Sequence, residues 1–149
     1  MERIKNSFSL ALLLLAGCAS TQLDQTEQWQ SQLHTEHALV GMIWDSQADE
    51  FIEANELFAR TERVSYLLLG EKHDNPDHHA LQLRALDHVL KTNTVSTVSF
   101  EMMSSEQQPL LQELSAYRQS SLEQVNEYLQ WDNEGWDWDY YGPLLHSAM

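Results

Sequence analysis

Apolar runs and polar stretches alternate along the chain, and the spacing within each run predicts an element. A short apolar run at residues 8–15 follows Arg3 and Lys5, and residues 19–36 are polar and Gln-rich, with Trp29 as their one large aromatic side chain. Folding is therefore expected to start near His37. Residues 39–44 read as a strand or hairpin arm, and residues 49–60 as a helix with Phe51, Ile52, Leu57 and Phe58 at its apolar positions. The near-continuous apolar run 64–70 predicts a buried strand of a parallel sheet. Asn75 as a cap, Pro76 at the first helical position and Asp77 in the first turn mark a helix start. That helix is expected to reach about Lys91, with Leu83, Leu86 and Leu90 as its stripe and Leu81, Ala85 and Val89 widening the buried face. The β-branched run 94–100 predicts another strand ending at Glu101, so strand, helix and strand form a βαβ unit.

Further along, Ser104 and Gln107 form a capping-box pattern ahead of a helix carrying Leu110, Leu111, Leu114 and Tyr117. Ser120 or Ser121 caps a short helix with Leu122, Val125 and Leu129. Residues 131–141 are aromatic and acidic. Gly142-Pro143 predicts a turn with Pro143 opening a new helix. The chain stops within the second turn of that helix, which leads us to expect a truncated product or part of a longer protein. The expected fold class is α/β, a parallel-sheet core with βαβ units and a helical subdomain.

The N-terminus has the layout of a secretory signal: a basic start, an apolar stretch, then small residues before Cys18. The stretch is too short to span a bilayer core, which takes roughly 20 apolar residues. Leu15-Ala16-Gly17-Cys18 resembles the lipobox of bacterial lipoproteins. The resemblance implies cleavage before Cys18, acylation of its sulfur with palmitate-type chains and, with Ala19 next, an outer-membrane location. Residues 1–17 are then a signal peptide, 18–37 a lipidated tether and 38–149 the folded domain. Cys18 is the single cysteine, so no disulfide can form within the chain. The formal net charge of -15 disfavours nucleic acid as a partner and favours cations and cationic complexes.

Parallel strands of a βαβ crossover end on one sheet edge, where α/β proteins bind ligands. The first expected strand delivers Glu71 and His73 there, and the second delivers Glu101. Neighbouring strands lie about 5 Å apart, so the two carboxylates could share one cation or one proton. His73 could add a nitrogen ligand or a base. The same residues also suit helix capping or plain solvent exposure. His78 and His79 read as exposed first-turn residues, and His34, His37 and His88 as surface or tether residues. Trp131, Trp136, Trp138, Tyr140 and Tyr141 could pack as a core lid or wall a flat apolar ligand. Tyr117, Tyr128, Tyr140 and Tyr141 are candidate haem ligands or walls, since a phenolate can bind haem iron.

Together these pieces resemble the ChaN-like family of haem-binding lipoproteins, which is similar to the Tiki peptidases and erythromycin esterases. The residues that carry the likeness are the lipobox, Leu-Leu-Leu-Gly-Glu-Lys-His-Asp-Asn-Pro-x-His-His ending at His79, Ser-Phe-Glu-Met-Met with Gln107-Gln108 after it, and residues 131–141 leading into Pro143-Leu144-Leu145. Over residues 38–149 the resemblance implies an α/β core with a helical subdomain, matching the N-terminal half of the family's length. It also implies haem as cofactor, an iron-uptake role, and Gly70-x-x-His73 with Glu101 as a metal motif. The expected partners are haem or another iron complex, a membrane reached through the lipid anchor, and a second copy of the chain as a homodimer. A binding protein is expected ahead of an enzyme. The alternatives are a metal-dependent hydrolase or peptidase using Glu71, His73 and Glu101 with a divalent metal, and an inactive fragment.

Overall fold

The computed structural model describes residues 29–92 and 95–149. Cys18, the expected signal peptide and the first part of the expected tether fall in residues 1–28 and lie outside the described residues.

The first element is a hairpin. Strands β1 (Ile43–Asp45) and β2 (Glu50–Ile52) pair antiparallel, with Ile43 opposite Ile52 and Trp44 opposite Phe51. The turn forms because Asp45 Oδ1 accepts the backbone N–H of Gln47 at 2.8 Å and of Ala48 at 3.1 Å. Trp44 and Phe51 meet edge to face at 4.8 Å, the cross-strand contact of the non-core face. The helix expected over 49–60 is therefore split. Its first residues form β2, and only Ala54–Thr61 are helical, as α1.

Helix α2 (Pro76–Thr92) follows the local signals closely. Asn75 Oδ1 accepts the N–H of Asp77 at 2.9 Å and of His78 at 3.3 Å, satisfying donors that the first turn leaves free. Leu86 and Val89 turn inward and are buried. Ser105–Gln107 form a 3-10 turn, α3 (Gln108–Glu113) leads into a second 3-10 turn (Leu114–Tyr117), and α4 (Leu122–Leu129) follows. Ser121 and Gln124 cap α4 reciprocally, at 3.3 and 2.9 Å.

Two expectations are corrected. Residues 64–70 and 95–100 flank α2 without regular secondary structure, neither pairs with a strand, and the two-stranded antiparallel hairpin is the sheet of the described residues. A parallel-sheet core with βαβ units is thus not what these residues form. Apolar composition favours a strand only where a neighbouring strand and a covering layer exist, and Tyr66 and Leu68 stand 88% and 91% exposed. The tie from α2 to the first run is Gln82 Nε2, which donates to Leu69 O at 3.0 Å.

The second correction concerns Pro143. It does not open a helix, because α5 (Trp138–Ala148) runs through it, starting from Asp137, whose carboxylate accepts Asp139 N–H at 3.0 Å. Burial of Tyr141, Leu144 and Leu145 holds the helix across the missing N–H. Gly142 makes this possible from within. A Cβ there would meet the Trp138 ring at 2.7 Å, so only glycine lets that indole lie along the helix.

The described chain is thus a mixed structure of five α-helices and one small hairpin. Its core joins α2, α4 and α5 through Leu86, Val89, Leu114, Val125, Leu129, Trp131, Tyr141, Leu144 and Leu145. Val125 and Leu129 are fully buried, each contributing about 1.5–3 kcal/mol from removal of apolar surface from water.

Candidate functional site

The loop between residue 70 and α2 lies against α5, and this contact assembles a cluster of polar side chains. Glu71 is drawn inward until its side chain is 4% exposed. Its Oε1 receives two partners: the Tyr141 hydroxyl donates to it at 3.0 Å, and His73 Nδ1 lies 2.5 Å away. Tyr141 comes from the core face of α5 and is 1% exposed. Burial, followed by the Glu71 carboxylate, pushes the Tyr141 hydroxyl above its ordinary pKa, so it remains a neutral donor.

With Nδ1–H donating to Glu71, the His73 ring is left in the tautomer whose Nε2 lone pair points away from the carboxylate. The His73 side chain is 56% exposed, its Nε2 lies 3.8 Å from Glu101 Oε1, and the edge of Trp136 meets its ring at 4.8 Å. His73 thus stands between the two glutamates expected to share a cation or proton. Glu71 is buried on one side of it and Glu101 is 70% exposed on the other.

His79 lies beneath the loop. Read from sequence as an exposed first-turn residue, it is 4% exposed, stacks on Tyr140 at 4.7 Å and meets Tyr141 edge-on at 4.8 Å. Its Nε2–H donates to His73 O at 3.0 Å and lies 3.9 Å from Glu71 Oε2, while Nδ1 has no hydrogen-bond partner. His79 stands four and seven residues before Leu83 and Leu86 on the apolar stripe of α2, and that spacing was the available hint of burial. His78 accepts Lys72 N–H on Nδ1 at 2.9 Å. His88, read as a surface residue, stacks on Phe58 at 4.5 Å. Lys72 pairs with Asp74 at 2.6 Å in solvent and leaves Glu71 to Tyr141 and His73.

The tyrosines divide into two groups. Tyr140 and Tyr141 belong to this cluster. Tyr117 and Tyr128 stack on each other at 4.0 Å, and the Tyr128 hydroxyl donates to Leu110 O at 3.1 Å. Neither has a ring or hydrogen-bond contact with Glu71, His73 or Glu101. Trp131 is a core residue, bonded through Nε1–H to Trp136 O at 2.9 Å, whereas Trp136 and Tyr140 are half-buried at the cluster's rim. The aromatic segment therefore contributes to core packing, and its half-buried rings stand at the edge of the cluster.

Among the described residues no three His, Cys, Asp or Glu side chains converge as a ready metal cage. The chemistry on offer is an oriented imidazole with an accessible Nε2, a buried carboxylate behind it and aromatic rings beside it.

A family model described as haem-binding uptake, Tiki superfamily, ChaN matches residues 57–149. The chain belongs to the ChaN family. The matched region contains the Glu71 loop, α2, Glu101 and α5, so the whole cluster falls within the ChaN-family portion of the chain. Haem binding for uptake is accordingly the family-level function. No curated protein and no solved structure matches the chain.

Proposed function

We propose that this chain is a haem-binding lipoprotein that handles haem at a membrane surface, with His73 as the side chain that faces the iron. The observation that carries this reading is the Glu71–His73 pair. A carboxylate on Nδ1 fixes ring orientation and tautomer, the arrangement that metal-binding histidines ordinarily have. Haem supplies a ferric or ferrous centre and a flat apolar macrocycle, and the half-buried ring of Trp136 offers apolar surface beside His73, while Tyr140 stacks on the neighbouring His79. Tyr141 serves as a positioning residue, because its hydroxyl is committed to Glu71 and its raised pKa opposes the phenolate that iron would require. Hemin titrated into the purified chain should shift the Soret band at near-stoichiometric ratio, and an unchanged spectrum would sink the reading.

The anchor is part of the same proposal. Cys18, acylated on its sulfur and then made the N-terminus by cleavage, would hold the protein at the outer membrane. Cys18 and Trp29 are eleven positions apart, a span of at most about 40 Å fully extended, so the site works close to the bilayer. Mass analysis of the exported chain should find acylated Cys18 as its N-terminus. Cys18→Ser should move the protein out of the membrane fraction.

One geometric feature favours a second reading, a hydrolase. His73 between Glu71 and Glu101 has the order of a general base, with a carboxylate on Nδ1 and Nε2 open to solvent. A divalent metal taken up by these residues would activate water. Metal analysis of the purified chain finding none, with hydrolysis of ester and peptide substrates no different in His73→Ala, would exclude it.

A further inference from the structure

The first described residues are bonded to the start of α2, next to the candidate site. Asp77 Oδ1 accepts Gln30 N–H at 2.8 Å, and Oδ2 accepts Ser31 N–H at 2.9 Å. Asn75 Oδ1, which already caps the helix, also accepts from Ser31 Oγ at 3.3 Å. Asp77 is only 8% exposed, so its carboxylate depends on these donors in place of water. Burial raises the Asp77 carboxyl, but the bonds from Ser31 and Gln30 outweigh it and hold the group below its ordinary value. Upstream, the Trp29 ring lies 3.5 Å from where a Gly41 Cβ would stand, so the segment also touches the foot of the hairpin.

The same helical turn holds the site loop. His78 Nδ1 takes the N–H of Lys72 at 2.9 Å, and His79 Nε2–H reaches the carbonyl of His73 at 3.0 Å. The loop has little packing of its own, since Lys72, His73 and Asp74 are all exposed. Its backbone is held from α2 by His78 and His79, beside the Tyr141 bond to the Glu71 side chain and the loop's own Asn75 N–H bond to Lys72 O, and the turn that carries the two histidines is fixed on its outer side by Asp77 and Asn75.

We propose that residues 29–31 are a strap which, through Asp77 and Asn75, orders the Glu71–His73 loop. Two backbone amides on one carboxylate form a charge-assisted fork of the stronger class of hydrogen bond. Releasing it leaves a buried carboxylate without donors at the root of the loop. The strap is continuous with the chain leading back to Cys18, so whatever acts on that segment acts first on Gln30 and Ser31. Its effect on ligand affinity rests on the haem reading above; its effect on loop order does not.

Hydrogen exchange of the full chain tests this without any ligand. Asp77→Ala should speed exchange about tenfold both in residues 29–31 and in the loop 71–75, with α4 unchanged. Ser31→Pro removes one strap donor while leaving every α2 side chain in place, and it should accelerate the same two segments. It decides the matter if Asp77→Ala does not fold. Faster exchange of the strap alone, no acceleration in Ser31→Pro, or a loop response confined to Asp77→Ala would each overturn the proposal. In the last case Asp77 would act through the helix and not through the strap. With both segments accelerated, hemin affinity should fall in the same variants. Unchanged affinity there would count against the haem reading and leave the strap standing.

Discussion

The hydroxyl of Tyr141 donates to Oε1 of Glu71 at 3.0 Å, joining the buried face of α5 to the loop that precedes α2. Through this contact a core tyrosine decides where Glu71 lies, and Glu71 in turn decides how His73 presents its ring. Without it the carboxylate would have no hydroxyl donor, since its Oε2 already has no partner.

Tyr141→Phe keeps the ring in the core and removes that donor. A hydrogen bond to a charged, buried group contributes about 1.5–3 kcal/mol, so chemical denaturation should show a loss of that size with an unchanged m-value. A wild-type midpoint would mean that Glu71 is held by other means.

The raised Tyr141 pKa sets an alkaline limit. In the unfolded chain the phenol ionises near its model value of 10.0, while in the folded protein it stays protonated beyond that. The stabilising contribution is therefore complete below pH 10.0 and is lost as pH rises from there through the folded value. Stability of the wild type should fall more steeply above pH 10.0 than that of Tyr141→Phe, and parallel curves would contradict the assignment.

Gly142→Ala should destabilise the protein even though alanine is the better helix former by about 1 kcal/mol. The added methyl meets the Trp138 ring at 2.7 Å, and overpacking of that kind costs about 1–3 kcal/mol. Thermal denaturation gives the sign: a higher Tm would show that Trp138 moves aside freely.

If His73 faces the iron, His73→Ala should weaken hemin binding at least about tenfold, the usual scale for a lost ligand or its support. Tyr117→Phe and Tyr128→Phe should bind as wild type, because those rings contact each other and the α3 backbone away from His73. Loss of the Soret shift in either tyrosine variant, with His73→Ala unaffected, would move the site to the stacked Tyr117–Tyr128 pair.

Where bonding partners lie within four residues, the chain could be read directly. The start of α2 at Asn75-Pro76-Asp77 and the Ser121 cap of α4 both rest on side chains reaching backbone one turn away. The ChaN-like resemblance was legible for the same reason, since its motif is a short contiguous block matched within residues 57–149. Contacts across the fold were not legible. Residues 64–70 and 95–100 carry strand-like composition, but a strand exists only in a ladder, and no neighbour completes one among the described residues. The bond from Tyr141 to Glu71, the burial of His79 and the capture of Gln30 and Ser31 by Asp77 all depend on packing between segments dozens of residues apart. Local patterns carry information about caps and periodicity because hydrogen bonds there close small rings. Which faces meet is decided by the global burial of apolar surface, and no single stretch of sequence contains it.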